Sequence, residues 1–139
     1  MVVFAYYKFF PLREQSIMEN FPNLILEILS DSSEDYIGLY EVVWRINTLY
    51  PEPTQQEREM AARYAVATLL SREWIEVFRT RDYFSKEKPV EFVRVDGAET
   101  EKVLTDPVSW EPFEKGKDPW YWIAATEKGE DAYNALWPR

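Results

Sequence analysis

The chain has 139 residues, the size of one domain, and its 46% hydrophobic and 17% aromatic content with only 4 Gly is the composition of a packed globule, not of a linker or low-complexity segment. It has no Cys and no His, which excludes disulfides, thiolate nucleophiles, Cys-based zinc or iron-sulfur sites, the Ser-His and Cys-His catalytic pairs and imidazole metal ligands. The net charge of -9 divides as -4, -2 and -3 over residues 1–50, 51–100 and 101–139, so no third has the basic excess that nucleic acid or anionic lipid attracts, and a basic partner suits the chain better.

The run Val2 to Phe10 is apolar, yet too short for the roughly 20 residues of a membrane span and without the basic leader of a signal peptide. It reads as a strand or arm packed on the core, with a homodimer contact as the sharper alternative, because so aromatic a run is costly to leave wet. From about Pro22 to Ser30, Phe21, Leu24, Ile25, Ile28 and Leu29 share one helical face, with Pro in the opening turn. The acidic run Asp31-Ser32-Ser33-Glu34-Asp35 reads as a solvated loop, since it lacks the alternating oxygen ligands, central Gly and bidentate Glu of a calcium loop.

Tyr36 and Ile37 form a very short strand, and Leu39, Val42, Val43, Ile46 and Leu49 then keep helical spacing as far as Tyr50, where Pro51 and Pro53 end the helix. A third helix starts at the capping box Thr54-Gln55-Gln56-Glu57, with Met60, Ala61, Tyr64, Ala65, Thr68 and Leu69 as its buried stripe. Trp74 to Thr80 alternates as a strand, and so does Trp120 to Ala125, which leads through Thr126, the expected cap, into a closing helix carrying Ala132, Tyr133, Leu136 and Trp137. Between these strands, Val90 to Val95 alternates like a strand, Asp96 can cap a helix through Leu104, and Asp106-Pro107 and Trp110-Glu111-Pro112 read as turns.

Three helices, the third running into a strand through LLSREWIEVFR, then a returning strand and IAATEKGEDAY, resemble winged helix-turn-helix domains over about residues 21–81 and 119–137. The fold class this implies is α+β: a three-helix core with a small antiparallel sheet and a C-terminal helix, as one domain over residues 1–139 with an insertion at about 81–119 where a winged domain has a short wing. The resemblance makes the third helix a DNA-recognition helix with Gln55, Gln56, Arg58 and Arg63 toward bases and Arg79, Arg81, Lys86 and Lys88 toward phosphates. Glu57, Glu59, Asp82 and Glu87 interrupt that positive field, which favours an ordinary solvated face.

Catalytic patterns are nearly absent. With so few glycines the chain has no phosphate-binding Gly-rich loop and no Gly-x-Ser-x-Gly elbow. Ser85-Lys86-Glu87-Lys88 has Ser-x-x-Lys spacing but lies in a charged loop before Pro89, unsuited to a desolvated Lys. The abundant carboxylates single out no pair for acid-base work or a metal. Aromatic residues crowd the C-terminal third, and period two puts Trp120 and Trp122 opposite Tyr121 and Ile123. The two indoles then lie under the insertion or, with Trp110, form exposed partner-binding anchors. The expected function is a non-enzymatic, acidic protein-binding module in the cytoplasm, without cofactor, metal or membrane, holding or neutralising a basic protein as immunity-type inhibitors do. The alternative, implied by the resemblance, is a DNA-binding transcriptional regulator.

Overall fold

The computed structural model describes residues 21–81, 83, 86–87, 89–114 and 116–136, so the apolar N-terminal run, Ser85, Lys88 and Trp137 lie outside the described residues. In chain order the elements are α1 (Phe21–Glu34), β1 (Ile37–Gly38), α2 (Leu39–Leu49), α3 (Gln55–Ser71), β2 (Ile75–Thr80), β3 (Val93–Arg94), α4 (Gly97–Thr105), a 3-10 turn (Pro107–Trp110), β4 (Trp120–Ala125) and α5 (Glu127–Leu136). The fold is α+β, with helices α1 to α3 around one core, a four-stranded antiparallel sheet of order β1-β4-β2-β3 and a C-terminal helix, compatible with the winged-helix-like order. Among the described residues no helix is long and apolar enough to cross a membrane.

Helix α1 does not end at Ser30 but continues through the acidic run to Glu34. Two local bonds support the extra turn, the Ser32 and Ser33 hydroxyls donating to the Leu29 carbonyl at 2.9 and 2.8 Å. A distant one anchors it: Arg45 of α2 donates to both oxygens of Asp31, at 2.8 and 2.5 Å. The solvated loop expected here is therefore helix, because polarity alone does not reveal a partner on another element.

In α2, Leu39, Val42, Val43 and Ile46 are buried, while Leu49, expected among them, is exposed. Thr54 caps α3 by accepting the Glu57 N–H at 3.2 Å. The buried stripe of α3 is Ala61, Ala62, Ala65, Val66 and Leu69, whereas Met60 faces out. Small residues there let α2 and α1 approach closely, and Ala62 and Val66 take the inward places expected of Met60 and Thr68. Of the strand expected over Val90 to Val95, Val93–Arg94 pairs, with Phe78↔Arg94 and Arg79↔Val93, and the Val95 N–H donates to the Val77 carbonyl at 2.9 Å. Phe92 instead stacks on Tyr36 with ring centroids 3.8 Å apart.

The junction of α3 and β2 joins the two ends of the fold. Glu73 N–H donates to the Leu70 carbonyl and Trp74 N–H to that of Leu69, both at 3.0 Å, the bond pattern that closes a helix around a left-handed residue. Glu73 fills that left-handed place at φ 61°. Thr126 then binds the same turn twice, through its N–H to the Trp74 carbonyl at 2.9 Å and its hydroxyl to the Glu73 carbonyl at 2.7 Å. Its Oγ1 also accepts the Gly129 N–H at 3.0 Å, capping α5 as expected. From there β4 runs antiparallel to β2 in unbroken register, from Ala125 opposite Ile75 to Trp120 opposite Thr80.

Gly129 is the position where this junction tolerates no side chain. A Cβ there would stand 2.0 Å from the Trp74 carbonyl oxygen, a backbone atom already bonded to Thr126. Gly129→Ala is expected to lower stability by about 3 kcal/mol in urea unfolding. Gly97→Ala, whose Cβ would meet nothing within 4 Å, is expected to stay within about 0.5 kcal/mol of the wild type. Equal stability of the two variants would contradict the packing of α5 on the turn.

Candidate functional site

Strand β4 lies between β1 and β2 and carries large apolar side chains on both faces. On one face Ile123 is fully buried in the helical core, and Tyr121 and Ala125 pack against the same core. Trp120 and Trp122 project from the other face, as period two requires, and are buried as well. Their cover comes from the insertion and from the start of α2. Phe113 stacks on Trp120 with centroids 4.5 Å apart at 6° and meets Trp122 edge-on at 4.6 Å. Tyr83 lies 5.2 Å from each indole, and Phe92 lies 5.3 Å from Trp122.

The layer continues outward. Tyr36 stacks on Phe92 and meets Phe78 edge-on at 5.1 Å. Tyr40 meets Phe113 at 4.5 Å and, on its other side, Trp44 at 4.8 Å. Gly38 makes room for this approach, since a Cβ there would stand 2.5 Å from the Tyr40 ring and 2.9 Å from that of Phe113. One hydrogen bond fixes the floor: the buried Trp122 indole N–H donates to the Thr80 hydroxyl across the strand pair at 2.8 Å.

Above this floor lies a cleft of about 850 Å³, lined by the end of α1, the start of α2 and the aromatic layer. Asp31, Glu34, Asp35 and Glu41 contribute four carboxylates to its walls against the single guanidinium of Arg45. That guanidinium is already committed to Asp31. Burial pushes the Tyr40 phenol up to about 12, and the neighbouring Glu41 adds to the rise by its charge and by hydrogen bonding. Trp44 stands at the mouth with 54% of its surface exposed, its ring edge-on to Tyr40.

The residues expected to bind a partner or DNA are distributed as follows. Trp120 and Trp122 form the cleft floor, covered by the insertion. Trp110 lies elsewhere, in the main core, with its indole N–H donating to the Leu104 carbonyl at 3.1 Å. Gln55 and Gln56 are exposed at the start of α3, with Gln55 donating to Glu59 at 3.2 Å. Arg58 turns back to hold the carbonyls of Pro51, at 2.8 Å, and Pro53. Arg63 lines a smaller cleft of about 470 Å³ between α3 and α4, with Glu101 on the facing side. Arg79 is paired with Glu99 of α4 at 3.0 Å, Arg81 and Lys86 are exposed, and Lys88 lies outside the described residues. Among the described residues no group of three carboxylates is disposed to hold a metal ion.

Sequence reading did not single out Tyr40, Trp44 or Glu41. The available signal was on α2, where Tyr40 and Trp44 lie four residues apart on the side opposite the buried stripe, a Trp on a helix's wet face. Phe92, Phe113 and Tyr83 had no such signal, since only the folded insertion brings them over the sheet.

Two outcomes follow from this geometry. Thr80→Val strands a buried indole donor and is expected to cost about 1–3 kcal/mol in urea unfolding, while Thr80→Ser, which keeps the acceptor, costs less. Because the fold favours the neutral Tyr40 phenol, its contribution to stability is complete below pH 10 and falls away between pH 10 and about 12. In a phenolate absorbance titration, Tyr40→Phe is expected to remove a group ionising near pH 12, and Glu41→Gln to move that ionisation toward 10. An unchanged titration in both variants would contradict the assignment.

Comparison with known proteins gives no match to this chain among family models, curated proteins or solved structures.

Proposed function

We propose that the chain is a non-enzymatic acidic binding module on a winged-helix scaffold, and that the cleft over β4 grips a cationic segment of a basic protein in the cytoplasm. The observation that carries this reading is the pairing of an aromatic floor with four wall carboxylates, of which Asp31 alone is ion-paired among the described residues. A cation in such a place gains from the exposed Trp44 ring face and from the carboxylates together. The overall charge of -9 steers basic partners toward the chain and nucleic acid away from it. Neutralising a basic protein, as immunity-type inhibitors do, is the role that fits this character.

Three observations weigh against the alternative of a DNA-binding regulator. Arg58 and Arg79, two of the cations it needs, are engaged by carbonyls and by Glu99 within the chain. The insertion places α4 across a cleft from α3, with Glu101 and Arg63 both in its lining. Glu57 and Glu59 stand in the first turns of the would-be recognition helix and repel a phosphate backbone.

Calorimetric titration of the full chain with a basic peptide alternating Lys, Arg and Ala tests the proposal. Binding is expected that weakens with added salt and drops by about tenfold or more in the Glu34→Lys, Asp35→Lys, Glu41→Lys triple variant, with no binding to duplex DNA at physiological salt. Sequence-specific duplex binding at physiological salt, reduced by Gln56→Ala and Arg63→Ala, would overturn it in favour of the regulator.

A further inference from the structure

We infer that the cation selected by this cleft is a guanidinium and not an ammonium, so that the partner presents an arginine side chain. This rests on the preceding reading of the cleft as a site for a basic segment, and adds which basic residue it reads.

The first argument is the shape of the apolar surface. The cleft offers one open flat face, that of Trp44 at the mouth, 54% exposed and held at 85° against Tyr40, above a floor in which Phe113 is stacked on Trp120 and both indoles are buried. A guanidinium is planar and weakly hydrated, so it can lie against a ring face and shed water at small cost. An ammonium is compact and strongly hydrated, and loses more on entering an aromatic cleft than a single ring contact returns.

The second argument is the geometry of the acceptors. Glu34 ends α1 with Asp35 just beyond it, and Glu41 lies in the first turn of α2, so carboxylates line the cleft from two elements. A carboxylate accepts a fork of two parallel N–H donors, which a guanidinium supplies and an ammonium cannot. The same wall already displays this pairing once. Arg45 places Nε at 2.8 Å and Nη2 at 2.5 Å from the two oxygens of Asp31, within the cleft lining. Glu34, Asp35 and Glu41 have no ion-pair partner among the described residues, although Asp35 accepts the Tyr36 N–H at 2.7 Å and Glu41 hydrogen-bonds Tyr40. A cleft of about 850 Å³ exceeds the needs of one side chain, so the residues flanking the arginine enter with it.

Titration of the full chain at physiological salt with hexa-arginine and hexa-lysine peptides, read by calorimetry and by Trp emission, tests the inference. Hexa-arginine is expected to bind about tenfold or more tightly than hexa-lysine. Trp44→Ala, at a half-exposed position outside the core, is expected to weaken hexa-arginine binding by more than hexa-lysine binding and so to erase most of that preference. The charge-reversed triple variant is expected to weaken both peptides. Equal affinity for the two peptides in the wild type, or a preference that survives Trp44→Ala, would overturn guanidinium selection while leaving the basic-partner reading in place. Failure of both peptides to bind would overturn the two together.

Discussion

Helices can cover only one face of β4, and β4 is large and apolar on both. This constraint organises the molecule. The inward face, with Tyr121, Ile123 and Ala125, is met by the core of α1, α2 and α3. The outward face, with Trp120 and Trp122, is met by nothing in the helical core, and two indoles left in water would forfeit a few kcal/mol each. The long connection between β2 and β4 supplies the missing cover through Tyr83, Phe92 and Phe113, and α2 adds Tyr40. Rings of that size meet edge-on and stacked but do not tile without a gap. The cleft is the space they leave beside the acidic end of α1.

Stability and the proposed binding therefore share residues, but not evenly. The floor rings and the Trp122–Thr80 hydrogen bond belong to the folded core, and changing them disturbs the sheet. Trp44, Glu34, Asp35 and Glu41 line the cleft at exposed or half-exposed positions, where a substitution alters the surface more than the packing beneath. The junction at Glu73, Thr126 and Gly129 keeps this arrangement in register by fixing where β4 ends and α5 begins. A slip of one residue in β4 would exchange its two faces and place Trp122 in the helical core.

The parts of the fold legible in the sequence are those dictated by local chemistry. Thr54, Asp96 and Thr126 were expected as caps, and each accepts a backbone N–H of the following helix. Alternation in Trp120 to Ala125 correctly assigned opposite faces to Trp122 and Ile123. What was not legible depends on partners far along the chain. The turn of α1 from Asp31 to Glu34 reads as a loop until Arg45 is placed beside it, and Arg79 reads as a free cation until α4 brings Glu99. The candidate site is of this second kind. Its floor was half visible in the two Trp of β4, but its cover and its acidic wall come from segments that meet only in three dimensions.

The central claim is that the acidic aromatic cleft, and not the outer face of α3, is the surface that meets a partner. Nuclear magnetic resonance of the full chain during titration with an arginine-containing basic peptide tests it most directly, reading the indole N–H and backbone amide signals. The expected result is perturbation concentrated at the Trp44 indole and at the amides of Glu34 to Glu41, with little change at Gln55, Gln56 and Arg63. Perturbation centred on Gln55 to Arg63 and Lys86, with the Trp44 indole unmoved, would contradict it.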